Sequence, residues 1–208
     1  MKKIPAVVLL LATALLPTAA GFGAEPAIEP APGELLVASA GMQDPRFQRS
    51  VILILRHDSS GAFGIAINRP LGQRPIAEVL ADAAGVPDKD SARDGDLDGT
   101  ILVYLGGPVQ PQYGFVIHGE DYRRPETLNL GNGLAMTSTK DVLRDIARQQ
   151  GPAKYLFAVG YAGWSAGQLE GEIARRDWFT APGDPGLVFD EERGAVWDRA
   201  LARRTREL

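Results

Sequence analysis

The sequence predicts a mixed α+β fold in which a bent or partly closed, barrel-like β-sheet is surrounded by helices. Two observations lead to this prediction. Strand-like apolar runs dominate the first half of the chain, and helical patterns are interspersed among them without the regular strand–helix alternation of a doubly wound sheet. In addition, the 184 residues that follow residue 24 in this 208-residue chain are enough for one domain that buries about 70% of its chain surface.

The predicted strands are apolar runs bounded by turn residues. The clearest run covers residues 50–55, Ser-Val-Ile-Leu-Ile-Leu, and its lack of polar alternation predicts a strand that is buried on both faces. Further strands are predicted at residues 34–38, 62–68, 101–105, 114–118 and 154–159. Glycine, proline and asparagine favour turns between them, which are predicted at residues 43–46, 57–61, 106–108 and 132–133.

Helical patterns are predicted at residues 75–84, 138–150, 165–175 and 197–204. Ser138 is expected to cap the second of these helices and Ser165 the third, where Gln168 would complete a capping box. Residues 88–99 contain five aspartates and almost nothing apolar, which predicts a solvated loop. The loop lacks the glutamate that an EF-hand requires at its twelfth position, so calcium binding is the less favoured alternative there.

The N-terminus has the pattern of a secretory signal peptide. Lys2 and Lys3 precede a 13-residue apolar run at residues 4–16, and small residues follow up to Ala24. As a helix this run would span about 20 Å, less than the ~30 Å core of a bilayer. We therefore predict a signal peptide at residues 1–24, a proline-containing flexible leader at 25–32 and one domain at 33–208, with an uncleaved anchor as the alternative.

Export makes the protein periplasmic or otherwise extracytoplasmic, and a cytosolic location is the alternative. Removal of residues 1–24 would take away two lysines and no acidic residue, so the net charge would change from −4 to −6. An acidic domain does not attract a phosphate backbone by its bulk charge, and nucleic acid is not expected as a partner. No later stretch is apolar enough for a transmembrane helix.

Composition also limits the chemistry of the domain. The chain has no cysteine, which excludes a disulfide framework, a thiol nucleophile and a zinc thiolate site. Neither a phosphate-binding loop nor a dinucleotide fingerprint is present. No cofactor and no metal are therefore expected.

One motif suggests catalysis. Gly163-Trp164-Ser165-Ala166-Gly167 matches G-x-S-x-G, and it lies between a predicted strand and a predicted helix, as a nucleophile elbow does. A serine nucleophile needs a histidine base, and His57 and His118 both precede Ser165, whereas the α/β-hydrolase order places the histidine last. The helix-capping role of Ser165 is favoured over the catalytic one, and no catalytic residue is predicted.

Several ordered sequence blocks resemble those of the AlgH/YqgE family. They are Gln-Asp-Pro-Arg-Phe at residues 43–47 with Arg-Ser-Val at 49–51, Gly-Ile-Ala-Ile-Asn-Arg-Pro-Leu at 64–71, Leu-Gly-Gly-Pro-Val-Gln at 105–110, Gly-Phe-Val at 114–116 before His118, and Gly-Tyr-Ala-Gly-Trp-Ser-Ala-Gly-Gln-Leu-Glu at 160–170. Trp178, Phe189-Asp190 and Trp197 fit the closing segment of that family. The resemblance covers nearly all of the predicted domain.

The resemblance implies a compact α+β domain with a small barrel-like sheet, but no agreed activity. The family is often labelled a transcriptional regulator, and its name is linked to alginate production. This chain departs from the family pattern in its export-like leader, in its acidic segment at residues 88–99, and in Ser165, where members commonly have glycine. The first departure argues against DNA regulation here, and the last argues against a serine nucleophile shared by the family.

The favoured hypothesis is an exported, non-catalytic binding or regulatory protein whose partner is another protein or a small ligand. The alternatives are a cytosolic transcriptional regulator and, as the least favoured, a serine hydrolase that uses Ser165. The candidate binding surface consists of polar and turn residues from the shared blocks, namely Arg46, Arg49, Asn68, Arg69, Gly106, Gly107, Pro108 and Trp164. Each of these residues also has a purely structural interpretation, and the oligomeric state is left open.

Overall fold

The computed structural model describes residues 30–82 and 97–205. Within these ranges it confirms the mixed α+β class, because a strongly curled, half-barrel sheet is flanked by short helices. The strands are β1 (Leu35–Ala38), β2 (Val51–Asp58), β3 (Gly61–Ala66), β4 (Pro70–Pro75), β5 (Thr100–Leu105), β6 (Val109–Gly119), β7 (Leu128–Gly131), β8 (Leu134–Thr137), β9 (Tyr155–Ser165) and β10 (Trp178–Ala181). The helices are α1 (Ile76–Asp82), α2 (Lys140–Ala147), α3 (Gln168–Ala174), α4 (Pro185–Val188) and α5 (Val196–Ala202), and a 3-10 turn covers Arg193–Ala195.

Strand β9 joins the two halves of the sheet. The strands follow the order β10-β1-β2-β3-β9-β6-β8-β7, and β4 pairs with β5. The first part of β9 lies between β5, to which it is parallel, and β6, to which it is antiparallel, so that Phe157 is opposite both Val103 and Val116. The last part of β9 pairs with β3 instead. One long strand therefore positions residues on two different surfaces of the molecule.

Strand β2 separates two parts of the core. As predicted from its continuous apolar run, residues 51–55 are buried on both faces. Leu53 packs in the cluster that α4 and α5 cover, whereas Ile52 packs with Trp164 and Trp178 in the cluster that α3 covers. A third cluster, which includes Val116 and Phe157, lies under α1 and α2. The apolar faces of the short helices are thus each buried against a different part of the curled sheet.

Two predicted helix caps are wrong. Ser165 is the last residue of β9 rather than an N-cap, and α3 begins at Gln168 after Gly167, whose φ of +74° is left-handed. Only half of the predicted capping box forms, because the Gln168 side chain accepts a hydrogen bond from the Ser165 N–H (3.1 Å). At α2 the N-cap residue is Thr139 and not Ser138. Pairing with β3 extends β9 past the point at which local signals predicted a helix.

The structure also differs from the prediction in elements that local sequence patterns did not indicate. The predicted turn at residues 57–61 is shorter, since His57 and Asp58 belong to β2. Strand β4 was missed because its proline and glycine residues are typical of turns; it is an exposed strand that pairs with β5. Strand β10 and helix α4 were also missed, and both are only four residues long. The predicted signal peptide and most of the acidic segment 88–99 lie outside the described residues.

In the described part of the chain, none of the helices combines the length and the apolar character needed to cross a bilayer.

Candidate functional site

A large cavity of about 820 Å³ lies in the half of the sheet that α1 and α2 cover. Its floor is apolar and is formed by Val103 of β5, Val116 of β6 and Phe157 of β9. The exposed side chains of Leu71 and Tyr113 lie at its rim. These are two of the few large apolar residues that the described surface leaves exposed, so the cavity has an apolar entrance as well as an apolar floor.

An irregularity in β6 creates the space for this cavity. Val109 is opposite Tyr161 of β9 and Gly114 is opposite Val159, so four residues of β6 are opposite a single residue of β9. Gln110 has a φ of +48°, and the extra residues bend away from the sheet and form one wall. A β-bulge of this kind redirects a strand locally while the pairing on either side is kept.

The opposite wall is the first two turns of α2. The Thr139 side chain makes no capping hydrogen bond, and its hydroxyl is buried without a hydrogen-bond partner among the described groups. Lys140 and Arg144 lie one turn apart and both line the cavity. The Arg144 side chain is only 4% exposed and forms an ion pair with Asp141 at 2.9 Å. Burial, together with the nearby charge of Arg148, lowers the pKa of Arg144.

Arg74 of β4 completes the charged lining. Its guanidinium lies 2.8 Å from Asp82 and 3.3 Å from Glu78, both on α1. The hydrogen bond with Asp82, followed by that with Glu78, raises the pKa of Arg74. The cavity is therefore lined by three cationic side chains, Arg74, Lys140 and Arg144, and by two acidic ones, Asp82 and Asp141.

A buried polar cluster holds α2 in place behind the cavity. The Tyr122 hydroxyl donates a hydrogen bond to Asp145 of α2 (2.6 Å), and Arg124 donates to both groups. Burial, followed by the hydrogen bond with Asp145, raises the pKa of Tyr122 to about 12. The hydrogen bond with Asp145 likewise raises the pKa of Arg124. This arrangement fixes α2 through its side chains, so the lining residues one turn earlier are held on a rigid element.

A smaller cavity of about 330 Å³ lies near the far end of β9 and contains three of the predicted binding residues, Arg46, Pro108 and Trp164. Its central group is the Glu172 carboxylate of α3. The indole N–H groups of Trp164 and Trp178 both donate to one oxygen of this carboxylate at 2.8 Å, and Gln168 donates to the other. Arg46 at the rim forms an ion pair with Asp44, whose hydrogen bond with Arg46 lowers the Asp44 pKa.

Five of the predicted binding residues line neither of these cavities. Asn68 connects two loops, since its amide donates to the Arg49 carbonyl (2.8 Å) and accepts from the Val51 N–H (2.9 Å). The Arg49 guanidinium lies 4.1 Å from the centre of the Trp197 ring and forms an ion pair with Asp198. These contacts explain both side chains structurally.

The glycine turn is packed against β9. A Cβ atom on Gly106 would collide with the Gly160 carbonyl, and one on Gly107 would collide with the Tyr161 backbone. Arg69 lies beside this turn, because its carbonyl accepts a hydrogen bond from the Leu105 N–H (2.9 Å). The structure thus brings Arg69 close to the glycine turn and Pro108 close to Trp164, and a binding role for the eight residues stays a prediction.

Both histidines contact groups other than Ser165. The His57 ring lies between the Pro30 carbonyl (3.0 Å) and Glu170 of α3 (2.7 Å), and the His118 ring lies between the Gly119 carbonyl and the Thr137 hydroxyl. The backbone hydrogen bond that Glu170 accepts, followed by the one from His57, lowers the pKa of Glu170, and burial lowers that of His118. Ser165 is exposed at the end of β9, opposite Gly61.

Sequence reasoning missed the large cavity. The only local signal was the spacing of Lys140 and Arg144 on the same face of a predicted helix, a pattern that solvated helices also show. Within the described residues, no group of three or more metal-ligating side chains comes together. Chemically, the arrangement combines an apolar volume with a wall that carries charges of both signs.

The described residues form a curled α+β fold with two cavities along its sheet. The AlgH-like family model matches residues 35–208, and the chain belongs to this family. Two curated relatives are UPF0301 proteins that are each 43% identical to this chain. The protein of Jannaschia sp. matches over 171 residues, which are 81% of this chain and 85% of the relative. The protein of Methylococcus capsulatus matches over 169 residues, which are 81% of this chain and 88% of the relative.

Two solved structures have a similar fold. The solution structure of AlgH from Pseudomonas aeruginosa is 40% identical, covers 82% of this chain and 87% of its own, and superposes with a TM-score of 0.65. A crystal structure of a protein from Corynebacterium diphtheriae is 26% identical, covers 85% and 88%, and has a TM-score of 0.64. The resemblance inferred from the sequence blocks is confirmed.

Proposed function

We propose that this protein is a non-catalytic binding domain that takes up a small, largely apolar ligand in the large cavity. The observation that supports this function is the cavity itself, since about 820 Å³ lies within the range of small-molecule sites and its floor is apolar. Rigid strands supply the floor residues, and the polar cluster behind α2 holds one wall. A preformed site of this kind binds without the cost of ordering a loop.

The contacts of the two histidines and of Ser165 favour binding over catalysis. Both histidine rings are engaged with other groups, and Ser165 lies on a strand end rather than at a strained elbow. Two of the arginines near the C-terminus are neutralised locally, because Arg199 pairs with Asp190 and Glu192 and Arg203 pairs with Asp184. This pairing weakens the case for a cytosolic transcriptional regulator, which would need an unneutralised basic face.

We further propose that the domain works after export, with the pattern of residues 1–24 as the support. N-terminal sequencing of the protein recovered from fractionated cells tests this step. Mature protein that begins near residue 25 in the periplasmic fraction is the expected result, and full-length protein in the cytosol would contradict it.

The binding proposal is tested with Nile red, a neutral apolar dye whose fluorescence increases in a dry site. We expect saturable binding to the wild-type protein and at least about tenfold weaker binding to Val159→Phe, which fills the cavity from the β9 side. Leu128→Phe is the matched control, since Leu128 is an exposed apolar residue outside the cavity.

Thermal melts of both variants establish that they fold. Equal dye binding by the wild-type protein, Val159→Phe and Leu128→Phe would show that the dye binds elsewhere. It would remove the large cavity as the functional site.

A further inference from the structure

The large cavity has two chemically different ends. Its floor and rim are apolar, whereas the wall formed by α2 carries Lys140, Asp141 and Arg144. A ligand that is apolar throughout would leave this charged wall desolvated without a partner, which is unfavourable. A ligand with one polar end would match both parts of the lining.

The ion pairs in the cavity lining indicate which charge the polar end of the ligand should carry. Arg74 is paired with Asp82 and Arg144 with Asp141, so the lining acids are each engaged by an arginine. The remaining charge is that of Lys140, a half-buried residue that has no ion pair within the described residues. This ammonium is the cation with spare hydrogen-bonding capacity beside the apolar floor.

The position of Lys140 is not explained by helix stability. Lys140 is the first residue of α2, and a cation in the first turn is opposed by the positive end of the helix dipole. A residue that opposes local preference at the edge of a cavity is typical of recognition sites. A bound anion would offset the unfavourable interaction of Lys140 with the helix dipole, because the anion would pair with the ammonium.

We propose that the ligand is a monomeric amphiphile with an apolar body and a single carboxylate, and that Lys140 recognises the carboxylate. This inference rests on the proposed function, since it specifies the ligand of the same cavity. The apolar body lies on Val103, Val116 and Phe157, and the carboxylate accepts hydrogen bonds from Lys140 at the α2 wall. Because Lys140 is half-buried, this pairing is stronger than one between fully exposed groups.

Displacement of Nile red by three probes with the same alkyl tail tests the proposal. The probes are decanoate, decanol and decyltrimethylammonium, which carry an anionic, a neutral and a cationic head group, all used as monomers. We expect decanoate to bind about tenfold more tightly than decanol, the factor that about 1.4 kcal/mol supplies, and the cation to bind most weakly. Raising the ionic strength should reduce the preference for decanoate.

Three lysine variants test whether Lys140 recognises the carboxylate. Lys140→Gln should abolish the preference for decanoate over decanol, and Lys140→Arg should keep it. Lys154→Gln, which removes an exposed lysine outside the cavity, should leave the preference unchanged. All three changes are at solvent-accessible positions, so folded protein is expected in each case.

The outcomes separate this inference from the proposed function. If Nile red binding depends on the cavity but the three probes displace it equally, or Lys140→Gln keeps the preference, the carboxylate assignment is wrong and the binding function stands. If Val159→Phe has no effect on dye binding, both fail. Binding of decanoate only when it is incorporated into lipid vesicles would overturn the assignment in favour of a membrane surface.

Discussion

The two cavities of this protein differ in how their polar groups are satisfied. In the smaller cavity the protein supplies the partners: the Glu172 carboxylate accepts from two indoles and from Gln168, and Arg46 pairs with Asp44. In the larger cavity an apolar floor lies beside Lys140, which has no ion pair among the described residues. Internal satisfaction is typical of a structural cluster, whereas an unmatched charge beside apolar space is typical of binding sites, and this difference supports the function proposed for the larger cavity.

The structure and the sequence favour different cavities as the candidate site. The G-x-S-x-G match and three of the predicted binding residues lie at or near the smaller cavity. There, Trp164 and Trp178 are almost fully buried and pack edge to face with ring centres 5.9 Å apart. Trp164, which the sequence made conspicuous, thus helps to hold α3 to the sheet through Glu172.

The largest effect is expected for Glu172→Ala. The change leaves two buried indole N–H groups without their charged acceptor, and we expect a loss of about 3 kcal/mol in the free energy of unfolding. Chemical denaturation of the wild-type and variant proteins measures it. Under conditions in which the variant is folded, its binding of Nile red at the larger cavity should equal that of the wild-type protein.

Glu78→Ala provides the control for that change. Glu78 is also a helical glutamate, but its ion pair with Arg74 is exposed, so its removal should cost less than about 1 kcal/mol. Equal losses for the two variants would mean that the carboxylate of α3 is not a structural centre. The smaller cavity could then no longer be distinguished from the larger one by a contribution of its polar groups to stability.

The second prediction concerns the polar cluster behind the larger cavity. Because the pKa of Tyr122 is raised to about 12 from 10.0, the folded state favours the protonated phenol. The stabilisation is fully present below the unfolded-state value of 10.0 and is lost as the pH rises from there through 12. We expect the wild-type protein to lose about 1–2 kcal/mol between about pH 9 and about pH 11.

Tyr122→Phe should be less stable at neutral pH and should show a smaller loss over the same range. Denaturant unfolding at the two pH values measures both. Tyr155, whose pKa is also raised by burial, contributes to both proteins and cancels in the difference. Parallel pH dependence of the two proteins would show that the phenol does not hold α2, and the rigid wall assumed for the cavity would be in question.

The fold could be predicted further from the sequence than the site could. The run at residues 50–55 predicted a doubly buried strand because burial on both faces leaves no polar alternation, and the structure confirms it. Strand β4 was not predictable in the same way, since Pro70 and Gly72 are local turn signals and only pairing with β5 makes the segment extended.

The large cavity could not be predicted from local sequence patterns. Its floor residues Val103, Val116 and Phe157 are far apart in sequence and meet because β9 pairs with β5 on one side and β6 on the other. No periodicity or motif encodes that meeting. The order of the sequence blocks predicted the family, but the lining of the site emerges only from the long-range register of the strands.

The smallest effect is expected for Ser165→Ala. Ser165 is exposed, and its backbone N–H rather than its side chain makes the contact with Gln168, so the free energy of unfolding should change by less than about 0.5 kcal/mol. Gly167→Ala, two residues later, should cost about 1 kcal/mol because its φ of +74° is unfavourable for a residue with a side chain. Denaturant unfolding of both variants measures this contrast.

A fluorophosphonate probe then decides whether the motif is reactive. We expect no covalent labelling of the folded wild-type protein, because the rings of His57 and His118 are both bonded to groups other than Ser165. Labelling that disappears in Ser165→Ala would place a nucleophile beside the smaller cavity. The cavity with internally satisfied polar groups would then be the reactive one, and satisfaction of polar groups would no longer distinguish structure from function in this fold.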